Sequence, residues 1–114
     1  MDDRVLDINY FECRYTHEKV SQVFKNVVLL KKEQRSGNGV WILNFLIEND
    51  IKLFFCSDRG YLDVYIYINE QIQDFLLDFP NFSLLKTKKE NIDSIIDYIS
   101  KKLKERISYN KLDT

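Results

Sequence analysis

The side chains best suited to chemistry are few in this chain, and their spacing does not assemble them. Cys13 and Cys56 lack CxxC spacing, and His17 is the only histidine. A zinc site would need carboxylates to complete it. A cysteine–histidine nucleophile would need His17 beside one of the thiols, which nothing in the sequence arranges. We therefore expect two ordinary reduced cysteines, no metal site and no cofactor.

Asp74 and Asp78 form the carboxylate pair most compatible with acid–base chemistry. If this segment is helical, residues four apart project from one face of it, one turn apart. No histidine accompanies the pair, and Gly37-Asn38-Gly39 is a lone GxG rather than a phosphate-binding loop. Neither a nucleophile elbow nor an HExxH motif occurs. The sequence therefore predicts no catalytic residue, and we expect a protein that is not an enzyme.

Length and composition indicate one folded domain over residues 1–114, because 45% of the residues are hydrophobic and 14% are aromatic. The net charge of −1 argues neither for disorder nor for a general nucleic-acid-binding protein. The charges are unevenly placed along the chain. Residues 48–78 contain seven acids and two bases, whereas residues 86–111 contain eight bases and four acids. An acidic middle and a basic C-terminal part follow from this distribution.

The sequence predicts no membrane segment and no secretory signal. No run reaches the ~18 apolar residues of a membrane span, and the opening Met1-Asp2-Asp3 lacks the basic start and apolar run of a signal peptide. We therefore expect a cytoplasmic protein.

Three consecutive antiparallel strands organise the predicted fold. Valine, isoleucine, phenylalanine and tyrosine crowd Val40–Ile47, Ile51–Ser57 and Tyr61–Ile68. The chain reverses at Glu48-Asn49-Asp50 and at Asp58-Arg59-Gly60, where turn-forming residues interrupt these runs. The first strand is apolar on both faces, which predicts a central strand covered on both sides, with Asn44 hydrogen-bonded inside the sheet.

The length of the second turn decides which face of the second strand is buried. A two-residue Arg59-Gly60 turn would place Phe55 in the core and Phe54 beside Tyr65, and a three-residue loop would reverse this. We favour the three-residue loop, because the shorter turn puts Arg59 at positive φ. The predicted core face then contains Phe54, Cys56, Leu62, Val64 and Ile66, with Lys52 snorkelling at its end.

Before the meander, the sequence predicts an edge strand, a helix and a further strand. Within Val5–Tyr15, the alternation of Phe11, Cys13 and Tyr15 with polar residues suits an edge strand, and the residues before Phe11 could instead form an irregular lead-in. Thr16 is expected to cap a helix from His17 to about Asn26. A strand at Val27–Gln34 and a flexible loop at Ser36–Gly39 follow.

After the meander, the sequence predicts two helices. The first is a short helix at Asn69–Phe79, capped by Asn69 and stopped by Pro80. The last begins at a Thr87/Glu90 capping box and continues to about Ile107. Its isoleucine stripe should pack on the Leu62–Ile68 aliphatic face. The predicted fold class is therefore α+β, with a mainly antiparallel sheet of four or five strands, a short N-terminal helix and a long C-terminal helix.

This pattern resembles the small immunity proteins of bacterial polymorphic toxin and contact-dependent growth-inhibition systems. The resemblance rests on the short helix, the acidic turn Glu48-Asn49-Asp50, the run Ser57-Asp58-Arg59-Gly60-Tyr61 and the C-terminal helix, and it covers roughly residues 20–107. It implies a protein that binds a cognate toxin domain and blocks the toxin's active site or substrate access. Many such toxins are nucleases with basic clefts, for which an acidic patch is a suitable plug.

If the resemblance holds, the partner surface should combine acids, which steer a basic toxin, with aromatic anchors. The region of the chain that offers both is centred on the tyrosine row with Asp63. The expected partner-binding residues are Glu48, Asp50, Asp58, Tyr61, Asp63, Tyr65 and Tyr67.

Three alternatives to this hypothesis remain at the level of the sequence. A second helix could cover the tyrosines and leave the acids merely solvated. The exposed aromatics could instead form a homodimer. Tyrosines stacking on bases, with the basic helix on phosphate, would make a nucleic-acid-binding module. The absence of lysine or arginine interleaved with the aromatic positions argues against that module.

Overall fold

Short hairpin connections arrange five strands in the order of the chain, each antiparallel to its neighbours. The computed structural model describes residues 11–35 and 39–112, with side chains as far as residue 105. This arrangement confirms the α+β class and the mainly antiparallel sheet. The elements are α1 (Phe11–Val23), β1 (Val27–Arg35), β2 (Val40–Ile47), β3 (Ile51–Asp58), β4 (Tyr61–Ile68), β5 (Gln71–Ile72), two 3₁₀ helices (Phe75–Asp78 and Phe82–Leu84) and α2 (Lys89–Leu112).

Both α-helices pack on the same side of the sheet. His17 of α1 lies against the Phe45 ring of β2, with ring centroids 5.8 Å apart, and Gln34 Nε2 is 3.5 Å from Cys13 Sγ. The predicted isoleucine stripe of α2 is buried in the same core cluster as the aliphatic face of β4, as expected. This core includes Cys13, Val20, Trp41, Leu43, Phe45, Leu53, Phe55, Leu62, Val64, Ile66, Ile92, Ile95, Ile96, Ile99 and Leu103.

The β3–β4 connection has two residues, so the predicted three-residue loop is wrong. Asp58 pairs with Tyr61, and Arg59 and Gly60 adopt φ values of 55° and 84°. Such a turn matches the twist of the two strands. Phe55 is consequently buried opposite Val64, whereas Phe54 faces the other side beside Tyr65.

Burial energy explains why the shorter turn prevails despite the strain at Arg59. A left-handed non-glycine residue costs about 1–2 kcal/mol. The longer loop would turn Leu53 and Phe55 outward and point Lys52 inward, and each buried apolar side chain contributes roughly 1.5–3 kcal/mol. The prediction that Phe54 and Cys56 share the core face with Leu62, Val64 and Ile66, and that Lys52 snorkels at its end, is therefore corrected.

The N-terminal segment is helical from Phe11, so the predicted edge strand at Phe11–Tyr15 is wrong over these residues. The preceding residues of that prediction lie outside the described part of the chain. Cys13, Thr16 and Val20 are buried at helical spacing, and this contact with the core outweighs a three-residue alternation. Thr16 does not cap the helix. Its hydroxyl donates to the Glu12 carbonyl oxygen at 2.6 Å, one turn earlier within α1.

Residues 69–79 do not form the predicted α-helix. Asn69 and Glu70 have φ values of 51° and 67° and turn the chain into β5, whose Ile72 pairs with Tyr67. Gln73 N–H then donates to the Ile66 carbonyl oxygen at 2.9 Å, which keeps the chain at the sheet edge. Pairing with β4 thus replaces the helical hydrogen bonds, and only Phe75–Asp78 coils into a 3₁₀ helix.

The start of α2 is tied to the sheet. Thr87 N–H donates to the Gly60 carbonyl oxygen at 2.8 Å. The capping box predicted that the Thr87 hydroxyl bonds to helix amides, and this hydroxyl lies 2.7 Å from Ser57 Oγ.

The predicted strand at Val27–Gln34 is confirmed and extends to Arg35. Residues 36–38 of the predicted loop and the side chain of Ile107 lie outside the described residues.

Ile96→Asp should lower the free energy of unfolding by several kcal/mol, because Ile96 is fully buried and the carboxylate would have no partner there. Urea unfolding measures the change. Ser94→Asp is the control, since it places the same charge at an exposed position of the same helix and should change stability by less than about 0.5 kcal/mol. Wild-type stability in Ile96→Asp would refute this packing of α2.

Arg59→Asn should raise the free energy of unfolding by about 0.5–1 kcal/mol, because asparagine tolerates positive φ better than arginine and Asn-Gly favours this turn. Arg59→Lys retains both the charge and the backbone strain and should be neutral. Loss of stability in Arg59→Asn would argue against the two-residue turn.

Candidate functional site

The sheet face turned away from the two helices is called here the open face. Strand register places its side chains in rows across neighbouring strands. One row crosses all five strands, and the next two cross four strands each. In order from β1, the rows are Val28, Leu46, Lys52, Tyr67 and Ile72; then Lys31, Asn44, Phe54 and Tyr65; then Glu33, Ile42, Cys56 and Asp63.

Large apolar and aromatic side chains of the open face are exposed to solvent. Tyr61 and Tyr65 each expose 46% of their surface, Val28 exposes 54% and Ile72 exposes 59%. Beneath them, the Phe54 and Tyr67 rings meet edge to face, with centroids 5.4 Å apart. These exposed side chains stand on a rigid sheet, a property typical of binding surfaces.

The structure brings together four of the seven residues expected to bind a partner. Tyr61, Asp63, Tyr65 and Tyr67 share the open face of β4, and Asp63 is exposed between two tyrosines. In the described part of the chain, both helices pack on the opposite side of the sheet. The alternative in which a helix covers these tyrosines is therefore not realised there.

The other three expected residues lie at the two ends of the sheet. Glu48 and Asp50 are in the β2–β3 turn, where Glu48 Oε2 accepts a hydrogen bond from Asn26 Nδ2 at 3.2 Å. The Asp50 carbonyl oxygen accepts from Asn69 N–H at 3.1 Å. Asp58 is at the far end of β3, paired with Tyr61. Because an eight-residue strand spans about 24 Å, Asp58 does not cluster with the other two acids.

The observed strand register places residues on the open face that the sequence prediction had placed in the core. Phe54, Cys56 and Lys52 belong to it rather than to the core, and Lys52 lies between Leu46 and Tyr67. A prediction based on the two-residue Arg59-Gly60 turn would have placed them on this face. The open face therefore carries bases as well as acids, including an ion pair in which Arg35 Nη2 is 3.1 Å from Glu33 Oε2.

Asn44 differs from its predicted state. Its Oδ1 is buried, yet no described residue gives this oxygen a hydrogen bond, so the prediction of a hydrogen-bonded asparagine is wrong for that atom. β2 is central, as predicted. On its open face, Val40 is buried and Ile42, Asn44 and Leu46 are half-buried, although no second layer covers them among the described residues.

The two cysteines lie on opposite sides of the sheet. Cys13 is in the core, where burial raises the pKa of its thiol. Cys56 is on the open face, and its thiol pKa is raised by burial and by the neighbouring Asp63 and Asp58 carboxylates. Both shifts favour the protonated thiol, which is a poor nucleophile.

A polar network joins the two helices on the covered side of the sheet. The Tyr15 hydroxyl donates to Asp93 Oδ1, which raises the pKa of Tyr15 to about 12. Lys19 Nζ lies 3.7 Å from Asp93 and 3.9 Å from Asp97, and Lys89 Nζ is 5.4 Å from the centre of the Tyr15 ring. This arrangement ties α1 to α2.

Asp74 and Asp78 do not form the predicted helical pair, because Asp74 precedes the first 3₁₀ helix and Asp78 ends it.

Within residues 11–35 and 39–112, no group of three or more His, Cys, Asp and Glu side chains is arranged to hold a metal ion. In the same part of the chain, no helix has the length and apolar character to cross a membrane.

Comparison of the chain with protein-family models, with curated proteins and with solved structures found no significant match.

Tyr15→Phe should remove part of the alkaline pH dependence of stability. Because the native pKa is raised to about 12 from an ordinary 10, the native state holds this proton more tightly than the unfolded chain does. The resulting stabilisation is complete below about pH 10 and is lost as the pH rises from 10 to 12. The stability difference between wild type and Tyr15→Phe should therefore shrink over this range.

Urea unfolding at pH 8, 10 and 11 measures this effect. Tyr61→Phe, which changes an exposed tyrosine outside the network, is the control and should follow wild type. A difference between wild type and Tyr15→Phe that stays constant from pH 8 to 11 would contradict the assigned hydrogen bond.

Proposed function

We propose that this protein is an immunity protein that binds a cognate bacterial toxin domain through the open face and blocks the toxin's active site or substrate access. The observation that carries the proposal is the row of exposed aromatic side chains on a sheet face that the two helices leave uncovered. The proposed activity is binding without catalysis or a cofactor, and the proposed location is the cytoplasm.

The open face offers the contacts that such binding requires. Tyr61 and Tyr65 are half-exposed aromatic anchors, and such anchors supply much of the affinity of protein interfaces. Their strand fixes the backbone before binding, so little backbone entropy remains to be lost. Asp63 stands between them, where a partner's lysine or arginine can pair with it.

Acidic groups at both ends of the sheet support a basic partner. Glu48, Asp50 and Glu70 lie in adjacent turns at one end, and Asp58 lies at the other. Charge of one sign around a binding face raises the association rate with a partner of opposite sign. A toxin nuclease with a basic cleft is a partner of this kind. Lys52 and Lys31 offset negative charge within the open face, so its acidic groups are concentrated at its two ends and at Asp63.

The test uses the toxin domain encoded beside the gene for this protein. Tyr65→Ala and Asp63→Lys should each weaken toxin binding by roughly tenfold or more and reduce the protection of toxin-producing cells. Titration calorimetry and a survival assay measure the two effects.

Two matched controls lie on α1, across the sheet. Phe11→Ala removes an aromatic ring that is 44% exposed, close to the exposure of Tyr65, and Glu18→Lys reverses an exposed acid. Both should bind the toxin like wild type. If folded Tyr65→Ala and Asp63→Lys also bind and protect like wild type, the open face is not the interface.

Self-association is the second candidate function. The open face carries both signs of charge, with Lys52 and Lys31 beside Asp63 and Glu33, so two copies of it can pair around a twofold axis. Light scattering of the purified protein distinguishes the candidates. A stable dimer that Tyr65→Ala dissociates, together with no binding of the adjacent toxin, would favour self-association.

A further inference from the structure

We propose that a small apolar pocket beside the open face, at the β4–β5 edge, receives one apolar side chain from a basic segment of the protein partner. The identification of this partner as a toxin rests on the function proposed above, whereas the pocket and the chemistry of its occupant rest on the geometry described below.

The pocket lies where the chain leaves β5. Its volume is about 220 Å³, and apolar side chains of β4, β5 and the two 3₁₀ helices form most of its wall. This volume is below the roughly 300–1,000 Å³ of pockets that hold a whole small-molecule ligand, so it suits a single side chain. The apolar wall includes Tyr65, Ile72, Leu76, Leu77 and Phe82.

Two apolar side chains at the rim remain in solvent. Leu77 exposes 70% of its surface and Ile72 exposes 59%, whereas their neighbour Leu76 is 2% exposed and belongs to the core. Leu76 therefore anchors the 3₁₀ helix to the core while Leu77 points outward. A rim held in this way is preorganised, and covering it with an apolar group releases water at little cost in conformational entropy.

The negative charge around the pocket favours basic residues on either side of the apolar side chain that enters it. Residues 61–85 contain four acids and no base. Asp74 lines the pocket, and Asp63 is two residues from Tyr65 on the same face of β4. The nearest bases in the strand pairing, Lys52 and Lys86, lie opposite Tyr67 and Tyr61. An apolar side chain flanked by lysine or arginine therefore matches this pocket, and one flanked by acids is repelled.

The pocket also extends the surface that was proposed to bind the partner. Tyr65 contributes both to the open face and to the pocket, and Ile72 belongs to the row that crosses all five strands. A partner seated on the tyrosine row thus reaches the pocket without leaving the sheet.

A short fluorescent peptide with one leucine between lysines is the probe for the pocket itself. We expect it to bind the full chain with amide chemical-shift changes centred on Tyr65, Ile72 and Leu77, and with weaker binding at higher salt. Peptides with glutamate in place of lysine, or serine in place of leucine, should bind at least roughly tenfold more weakly.

Leu77→Ser and Leu84→Ser form a matched pair of variants, because both leucines are 70% exposed and only Leu77 lines the pocket. Leu77→Ser should weaken binding of the lysine–leucine peptide by roughly tenfold, whereas Leu84→Ser should leave it unchanged. Equal binding of the glutamate peptide, shifts centred elsewhere, or equal losses in the two variants would each overturn the proposal.

The same variants with the adjacent toxin domain separate this proposal from the proposed function. If Tyr65→Ala weakens toxin binding and Leu77→Ser does not, the pocket proposal is overturned and the immunity function stands. If the toxin does not bind and the lysine–leucine peptide still docks at Leu77, the pocket stands and the immunity function is overturned.

Discussion

The register between β3 and β4 decides which side chains of the meander face the two helices and which face solvent. Side chains alternate between the two faces of a strand, so a shift of one residue would exchange every inward group of β3 for an outward one. The observed register turns Leu53 and Phe55 toward the helices, where both are fully buried. It costs a left-handed Arg59, and the burial of these two side chains outweighs that cost.

This register makes the sheet two-sided in composition. The inward face is nearly all aliphatic and aromatic, and it packs against the buried stripes of α1 and α2. The outward face mixes tyrosine, phenylalanine and isoleucine with Asp63, Lys52 and Asn44. A mixed face of this kind remains stable in water while presenting apolar area to a partner, which is the physical basis of the proposed binding role.

The strands of the meander could be predicted from the sequence, because period-two alternation and turn residues mark them strongly. Their register could not, because the choice depended on weighing strain at Arg59 against the burial of Phe55 and the exposure of Lys52. The tyrosine row was placed correctly, since those residues alternate within one strand. Phe54 was misplaced, since its face depends on pairing with a second strand.

The two wrong elements have a common cause, which is tertiary contact overriding a short local pattern. Cys13 and Val20 draw residues 11–23 into a helix against the core, and pairing of Ile72 with Tyr67 draws residues 71–72 into the sheet. The pocket at Leu77 is lined by Ile72, which this pairing places at the sheet edge. A single helix over residues 69–79 would not place Ile72 there, so the sequence did not predict the pocket.

Solvent paramagnetic relaxation enhancement of ring and methyl signals reports which face of the sheet is open to solvent. With a soluble gadolinium chelate, we expect strong broadening at Tyr61, Tyr65 and Ile72, weaker broadening at Phe54, and none at Phe45 or Phe55. Broadening of Phe55 with protection of Phe54 would contradict both the register and the open face.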